Sequence, residues 1–145
     1  MKKILLFTAL ILAGFSLNAQ NSKSQDGYEV HFNAFSTDFL TKEVAKTYQI
    51  GRSKTKGMIN IAVLKQQETG IPTSVEAKIS LKAQNLYGQN KSIELRKIHE
   101  NDEAIYYIGT FPVSSRETIN FKANVIPNGA KSLIEIKFSQ EFFTD

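Results

Sequence analysis

The sequence predicts an all-β fold, a sandwich or a barrel, with one short helix near its start. Three observations predict it. Short segments alternate apolar and polar side chains, the period of a strand with one buried face. Such segments recur about every 10 residues between polar turns, the spacing of antiparallel sandwiches and barrels. One stretch, "TKEVAKTY", Thr41 to Tyr48, departs from that period and reads as helix.

The elements follow in order. "GYEVHFNAF" places Tyr28, Val30, Phe32 and Ala34 on one face and Glu29, His31 and Asn33 on the other. In the helix, Thr41 is the N-cap, Glu43 sits in the first turn, where the dipole favours negative charge, and Val44 and Tyr48 form an apolar stripe. Gly51 is the expected C′ residue. Two turns of helix cannot stand alone, so this one is expected to cap an open end of the fold. Phe35, Phe39, Leu40, Val44 and Tyr48 would be its buried groups. "GMINIAVLK" is apolar on both faces, as in a central covered strand. "SVEAKISLKA" turns Val75, Ala77, Ile79, Leu81 and Ala83 inward. "KSIELRKIHE" skips from Leu95 to Ile98, which suggests a bulge near Arg96–Lys97. "AIYYIGTFPV" has Ile105, Tyr107, Phe111 and Val113 on one face and Tyr106 and Ile108 on the other. "TINFKANVIP" and "KSLIEIKFSQEFF" finish the pattern with Ile119, Phe121, Ala123 and Val125, then Ile134, Ile136 and Phe138. With neither Trp nor Cys, the antibody-domain hallmark is missing and only the broader immunoglobulin-like class is in play.

The N-terminus predicts the compartment. "MKK" is a positive n-region, and "ILLFTALILAGF" is an apolar run too short for the roughly 20 residues of a membrane span. Ala19 stands at the expected cleavage position. Residues 1–19 therefore read as a cleaved signal peptide, 20–27 as a flexible leader and 28–145 as one domain, exported to the periplasm of a bacterium. No Cys follows the apolar run, so a lipid anchor is excluded. Removing residues 1–19 leaves 126 residues with 16 basic and 14 acidic side chains, a charge of +2. That is no general case for nucleic-acid binding. Zero Cys excludes disulfide and thiol chemistry, and with only two His any metal site would need carboxylates.

The segments "YEVHFNAF", "FLTKEVAKTY", "IGRSK" and "FSQEFFTD" resemble a bacterial family, domain of unknown function 4426. The resemblance spans essentially the whole exported chain, and the run from His31 to Ser53 is its specific part. Lys42 departs from it by standing where Pro is expected, at a helical position that Lys also fits. The resemblance implies an exported, immunoglobulin-like β-sandwich, and the residues themselves make it an antiparallel one with a short helix between its first two strands. It brings no activity and no catalytic residues.

Candidate functional residues fall in two places. His31 and Asn33 share a strand face and Asp38 follows in the corner, the residue types of a ligand or metal pocket. The same types tie down ordinary strand-to-helix corners by hydrogen bonds. Arg52, Lys54 and Lys56 alternate after Gly51, a pattern suited to phosphate, lipid headgroups or an acidic partner, or to a solvated loop at a helix C-terminus. His99, Glu100, Asp102 and Glu103 read as a charged turn, matching no zinc or calcium loop. No nucleophile elbow and no phosphate-binding Gly loop is present. The expectation is a non-catalytic interaction or accessory module without cofactor, whose partner is another envelope protein. The alternative is a small-ligand or metal binder at the His31/Asn33/Asp38 corner.

Overall fold

The computed structural model describes residues 21–145. The predicted signal peptide lies outside the described residues. The chain forms two antiparallel sheets. The larger runs in the order β1 (Ser22–Gln25), β2 (Tyr28–Ser36), β3 (Lys56–Lys65), β7 (Ala104–Pro112), β6 (Arg96–Glu100), and β4 (Thr73–Ser74) also pairs with β3. The smaller has the order β5 (Ala77–Asn85), β8 (Glu117–Pro127), β9 (Ile134–Phe142). The core lies between them. The inward residues of β2 (Tyr28, Val30, Phe32, Ala34) meet Ile59, Ile61 and Val63 of β3, and face Ile119, Phe121, Ala123 and Val125 of β8. The alternation read from the sequence is the alternation found, because one face of each strand must leave water. Four rings link the layers: Phe32 to Phe138 at 4.8 Å, Phe138 to Phe121 at 4.7 Å, and Phe121 to Phe111 at 5.6 Å between centroids.

A short helix, α1 (Lys42–Thr47), joins β2 to β3, preceded by a 3-10 turn at Thr37–Phe39. Thr41 is its N-cap, its hydroxyl accepting from the Val44 N–H at 3.2 Å. The C-terminal cap falls two residues earlier than expected. Gln49, not Gly51, takes the left-handed conformation, with φ +56°. The Ile50 N–H donates to the Ala45 carbonyl at 2.8 Å and the Gln49 N–H to Lys46 at 3.2 Å, a Schellman closure that buries Ile50 as its apolar contact.

Five further expectations are corrected. The helix does not cap an open end. It lies on the outer face of the larger sheet, where Leu40, Val44, Ala45 and Ile50 form a second apolar cluster with Phe35, Met58 and Ile108. That face was available because β3 is apolar on both sides, and the helix is what covers its second side. Phe39 is not in that cluster; it is 76% exposed. "SVEAKISLKA" is not one strand: it pairs with β3 up to Ser74 and then, from Ala77, with β8 in the other sheet. The Ala77 N–H donates to the Tyr107 hydroxyl at 2.9 Å where the chain changes layer. The skip at Leu95–Ile98 is not a bulge. Residues 91–95 cross from one sheet to the other, with Ile93 and Leu95 packed on the central core, and Ile98 then joins the outer cluster. Gly109 makes that crossing possible, since a Cβ there would stand 2.5 Å from Ile93 Cγ2 and 2.9 Å from the Glu94 carbonyl. The stretch read as a leader also carries the edge strand β1, held by backbone pairing that leaves no apolar pattern in the sequence.

Candidate interaction surface

The first candidate residues separate along the fold. His31 and Asn33 lie half-buried on the outer face of β2, opposite Ala62 and Asn60 of β3. His31 Nε2 is 3.2 Å from Glu29. Asp38 sits beyond the end of β2 in the 3-10 turn, five residues of strand past His31 before that turn begins, roughly 16 Å along the chain. The buried Oδ1 atoms of Asn33 and Asp38 have no hydrogen-bond partner. Among the described residues no three His, Asp or Glu are grouped to hold a metal ion.

The basic triplet is divided too. The Arg52 guanidinium is committed to the corner, donating to the Leu40 carbonyl at 2.7 Å and the Asp38 carbonyl at 3.0 Å. Lys54 is exposed in the loop. Lys56 lines a cleft of about 520 Å³ with Gly51, Glu94, Arg96 and Thr110. Arg96 closes one side by donating to the Tyr48 carbonyl at 2.6 Å. The second cluster of charges disperses likewise. His99 and Lys97 meet Glu76 at 3.6 Å and 2.7 Å. The hydrogen bond and charge of Lys97 hold the Glu76 carboxyl below its ordinary range, and Glu76 in turn raises Lys97. Glu100 points to the other face, where it meets Tyr48; burial, then the Glu100 charge and hydrogen bond, push the Tyr48 hydroxyl well above its usual pKa. Tyr106 is half-buried against the outer cluster, while Tyr107 enters the core.

A different feature stands out at the end of the sandwich formed by Ser36, Gly57, Pro112, Glu117 and Phe142. Strand pairing brings these together: Ser36 opposes Gly57, Lys56 opposes Pro112, and Glu117 opposes Phe142. Gly57 lies where a Cβ would be 2.5 Å from the Phe111 ring and 3.1 Å from Phe142, so the two sheets close tightly there. Of seven large apolar side chains exposed among the described residues, four leave the fold at this end: Phe39, Leu86, Tyr87 and Phe143.

Leu86 and Tyr87 are presented by a built loop. Asn85 is 5% exposed and fully bonded. Its Oδ1 accepts from the Tyr87 and Gln89 N–H groups at 3.0 Å and 2.9 Å. Its Nδ2 donates to Gln89 at 2.7 Å and to Glu117 at 2.9 Å. Lys91 pairs with Glu117 at 3.0 Å, and the Ser114 N–H donates to the same carboxylate at 2.9 Å. Burial pushes the Glu117 carboxyl up, but the bonds from Asn85, Ser114 and Lys91 outweigh it and hold it below the usual carboxylate range. These bonds fix the loop while Leu86 stays 69% and Tyr87 90% exposed. In sequence, "NLYGQN" reads only as a turn. The signal within it is two large apolar residues at the tip of an otherwise polar turn.

The architecture defines a small antiparallel β-sandwich with a helix laid on one outer face. The chain belongs to the DUF4426 family, a domain of unknown function, whose family model matches residues 22–145. It is similar to the crystal structure of a DUF4426 family protein from Pseudomonas aeruginosa PAO1, at 31% identity over 86% of this chain and 94% of that chain, with a TM-score of 0.69. The GAE domain of yeast GGA1 aligns at 12% identity over 86% of this chain and 99% of that chain, with a TM-score of 0.38, too slight a likeness to carry an argument. No curated protein matches the chain. Among the described residues no helix is long and apolar enough to cross a membrane.

Proposed function

We propose that this protein is an exported, non-catalytic interaction module of the bacterial envelope that takes a protein partner at the end headed by Leu86 and Tyr87. One observation carries the reading: two large apolar side chains stand in solvent on a loop whose every tether is satisfied from within. Exposed apolar groups on a rigid support are the anchors around which interfaces form, and Tyr is prominent among them. Pre-ordering the loop lowers the entropy lost on docking. Export rests on the n-region, apolar run and Ala19 of the N-terminus.

The test is a photocrosslinker placed at position 87 in cells exporting the protein. A discrete adduct with another envelope protein is expected, lost in Leu86→Ser and weaker from a crosslinker at Ile71, near the opposite end. Equal capture by Leu86→Ser, in a variant that melts like wild type, would refute the reading.

One observation favours a second reading, a small-ligand or metal binder at the His31/Asn33/Asp38 corner: the buried Oδ1 atoms of Asn33 and Asp38 have no partner. A ligand that donates hydrogen bonds would satisfy them. Metal uptake unchanged in His31→Ala would retire the metal form of this reading.

A further inference from the structure

The outer face of the smaller sheet carries an arrangement that folding alone disfavours. Lys82 of β5 directly opposes Lys122 of β8, and Lys122 directly opposes Lys137 of β9. Three ammonium groups thus stand in one row across all three strands, over a width of about 10 Å. Like charges directly opposite one another destabilise a sheet. All three side chains are exposed, so no burial offsets that repulsion. Compensation on the protein itself is partial. Glu135 pairs with Lys137 at 3.0 Å and also feels the charges of Lys122 on the same face and of Lys23, which reaches over from β1 of the other sheet to the Glu135 carbonyl. With Lys78 and Glu141, which share the face by register, four lysines stand against two carboxylates. That surplus of two equals the surplus of the whole chain after residue 19. The row floors a shallow depression of about 460 Å³ bordered by the next cross-strand row, Gln84, Asn120 and Ser139, all able to donate hydrogen bonds.

We infer that this face docks on the phosphate headgroups of an anionic membrane surface. Charge complementarity fixes the sign of the occupant. The shape selects its class. β8 is the central strand, its backbone paired with β5 on one side and β9 on the other, so its N–H groups are taken by the ladder. A lone anion here would have only flexible ammonium groups and no backbone cradle. A flat row of cations on long stems matches instead a flat array of anions, which needs no convergent geometry. This inference is independent of the partner assigned to Leu86 and Tyr87.

The experiment is co-sedimentation of the exported chain with phosphatidylcholine vesicles, with and without added phosphatidylglycerol. Binding is expected only to the anionic vesicles and is expected to fade as salt is raised. Each lysine near such a surface contributes a factor of about 5, so Lys122→Gln should weaken binding about fivefold and the triple Lys82→Gln/Lys122→Gln/Lys137→Gln on the order of a hundredfold. The triple should melt no lower than wild type, because it removes the opposed charges. Lys42→Gln/Lys46→Gln/Lys54→Gln makes the same change in net charge away from this face and should bind as wild type does. The inference is overturned if the chain ignores anionic vesicles, if the two triples lose binding equally, or if inorganic pyrophosphate or poly-glutamate binds through the row while vesicles do not.

Discussion

Leu40→Ala tests whether the helix corner is packed or mobile. Leu40 is 7% exposed, in the outer cluster with Val44, Ala45, Ile50 and Met58. Truncation removes the equivalent of three methylene groups at about 0.8 kcal/mol each, so the transfer cost alone is about 2.2 kcal/mol at this burial. A cavity cost adds to it. The cluster is small and lies on an outer face, so it can relax partway, which places the total at about 2.5–3.5 kcal/mol, within the Leu→Ala range. The hydrogen bond from the Arg52 guanidinium to the Leu40 main-chain carbonyl survives the change. The assay is urea unfolding of the exported chain. With a slope of about 1.5 kcal/mol/M, the midpoint should fall by roughly 1.7–2.3 M at unchanged slope. Phe39→Ala is the internal control. It removes a larger side chain from the adjacent position, but one that is 76% exposed, and should cost less than about 0.5 kcal/mol. Lys54→Glu should be equally silent. If Leu40→Ala melts like wild type, or if Phe39→Ala costs as much, the corner is not packed as described.

Gly109→Ala should destabilise by about 1–3 kcal/mol in thermal melts, because the new methyl meets the Glu94 carbonyl and Ile93, and backbone cannot swing aside. Glu117→Gln should cost about 1–3 kcal/mol at neutral pH by weakening the bonds to Lys91 and Ser114. Its pH dependence has a defined sign. The folded-state pKa is depressed, so the Glu117 contribution is present above its unfolded value near 4.5 and is lost as pH falls through the folded value. Wild type should therefore lose its advantage over Glu117→Gln in melts carried from neutral pH into that acid range, and a difference that persists there would refute the linkage. Intact-mass measurement of the exported protein should place its N-terminus at or near Gln20, and a retained Met1 would defeat the export proposal.

What the sequence made legible was the alternation within single strands. Val30, Ile119, Val125 and Ile134 are each fully or almost fully buried where period 2 puts them, because a strand that buries one face has no other register. The N-cap was equally legible, since Thr41 acts on the N–H of Val44 three residues away. Decisions taken between strands were not. Nothing local tells that the chain leaves one sheet after Ser74 and enters the other at Ala77, because both halves keep the same inward alternation. Gly51 looked like the helix terminator on composition, yet the Ile50 side chain had a buried place to go, and that fixed the left-handed residue at Gln49. The candidate site suffered most. His31 and Asp38 are seven residues apart in sequence but are parted by the end of a strand. Asn85, Lys91 and Glu117, which hold the apolar loop, join only through a pairing between β5 and β8. The lysine row exists only in the register of three strands, none of which looks unusual alone.

The two changes of layer also set the order in which the molecule can assemble. β5 must find β8, whose first residue follows its last by more than thirty positions, and the β6–β7 hairpin, which belongs to the opposite sheet, lies between them. The smaller sheet therefore has a β8–β9 hairpin available early and a third strand that closes only after a long loop has been drawn in. Closing such loops before their contacts form is what slows β proteins, and refolding is expected in milliseconds to seconds rather than microseconds. Until that closure, the pairing edge of β8 stands open, so the chain's exposure to misassembly is greatest late in folding and is concentrated on one strand.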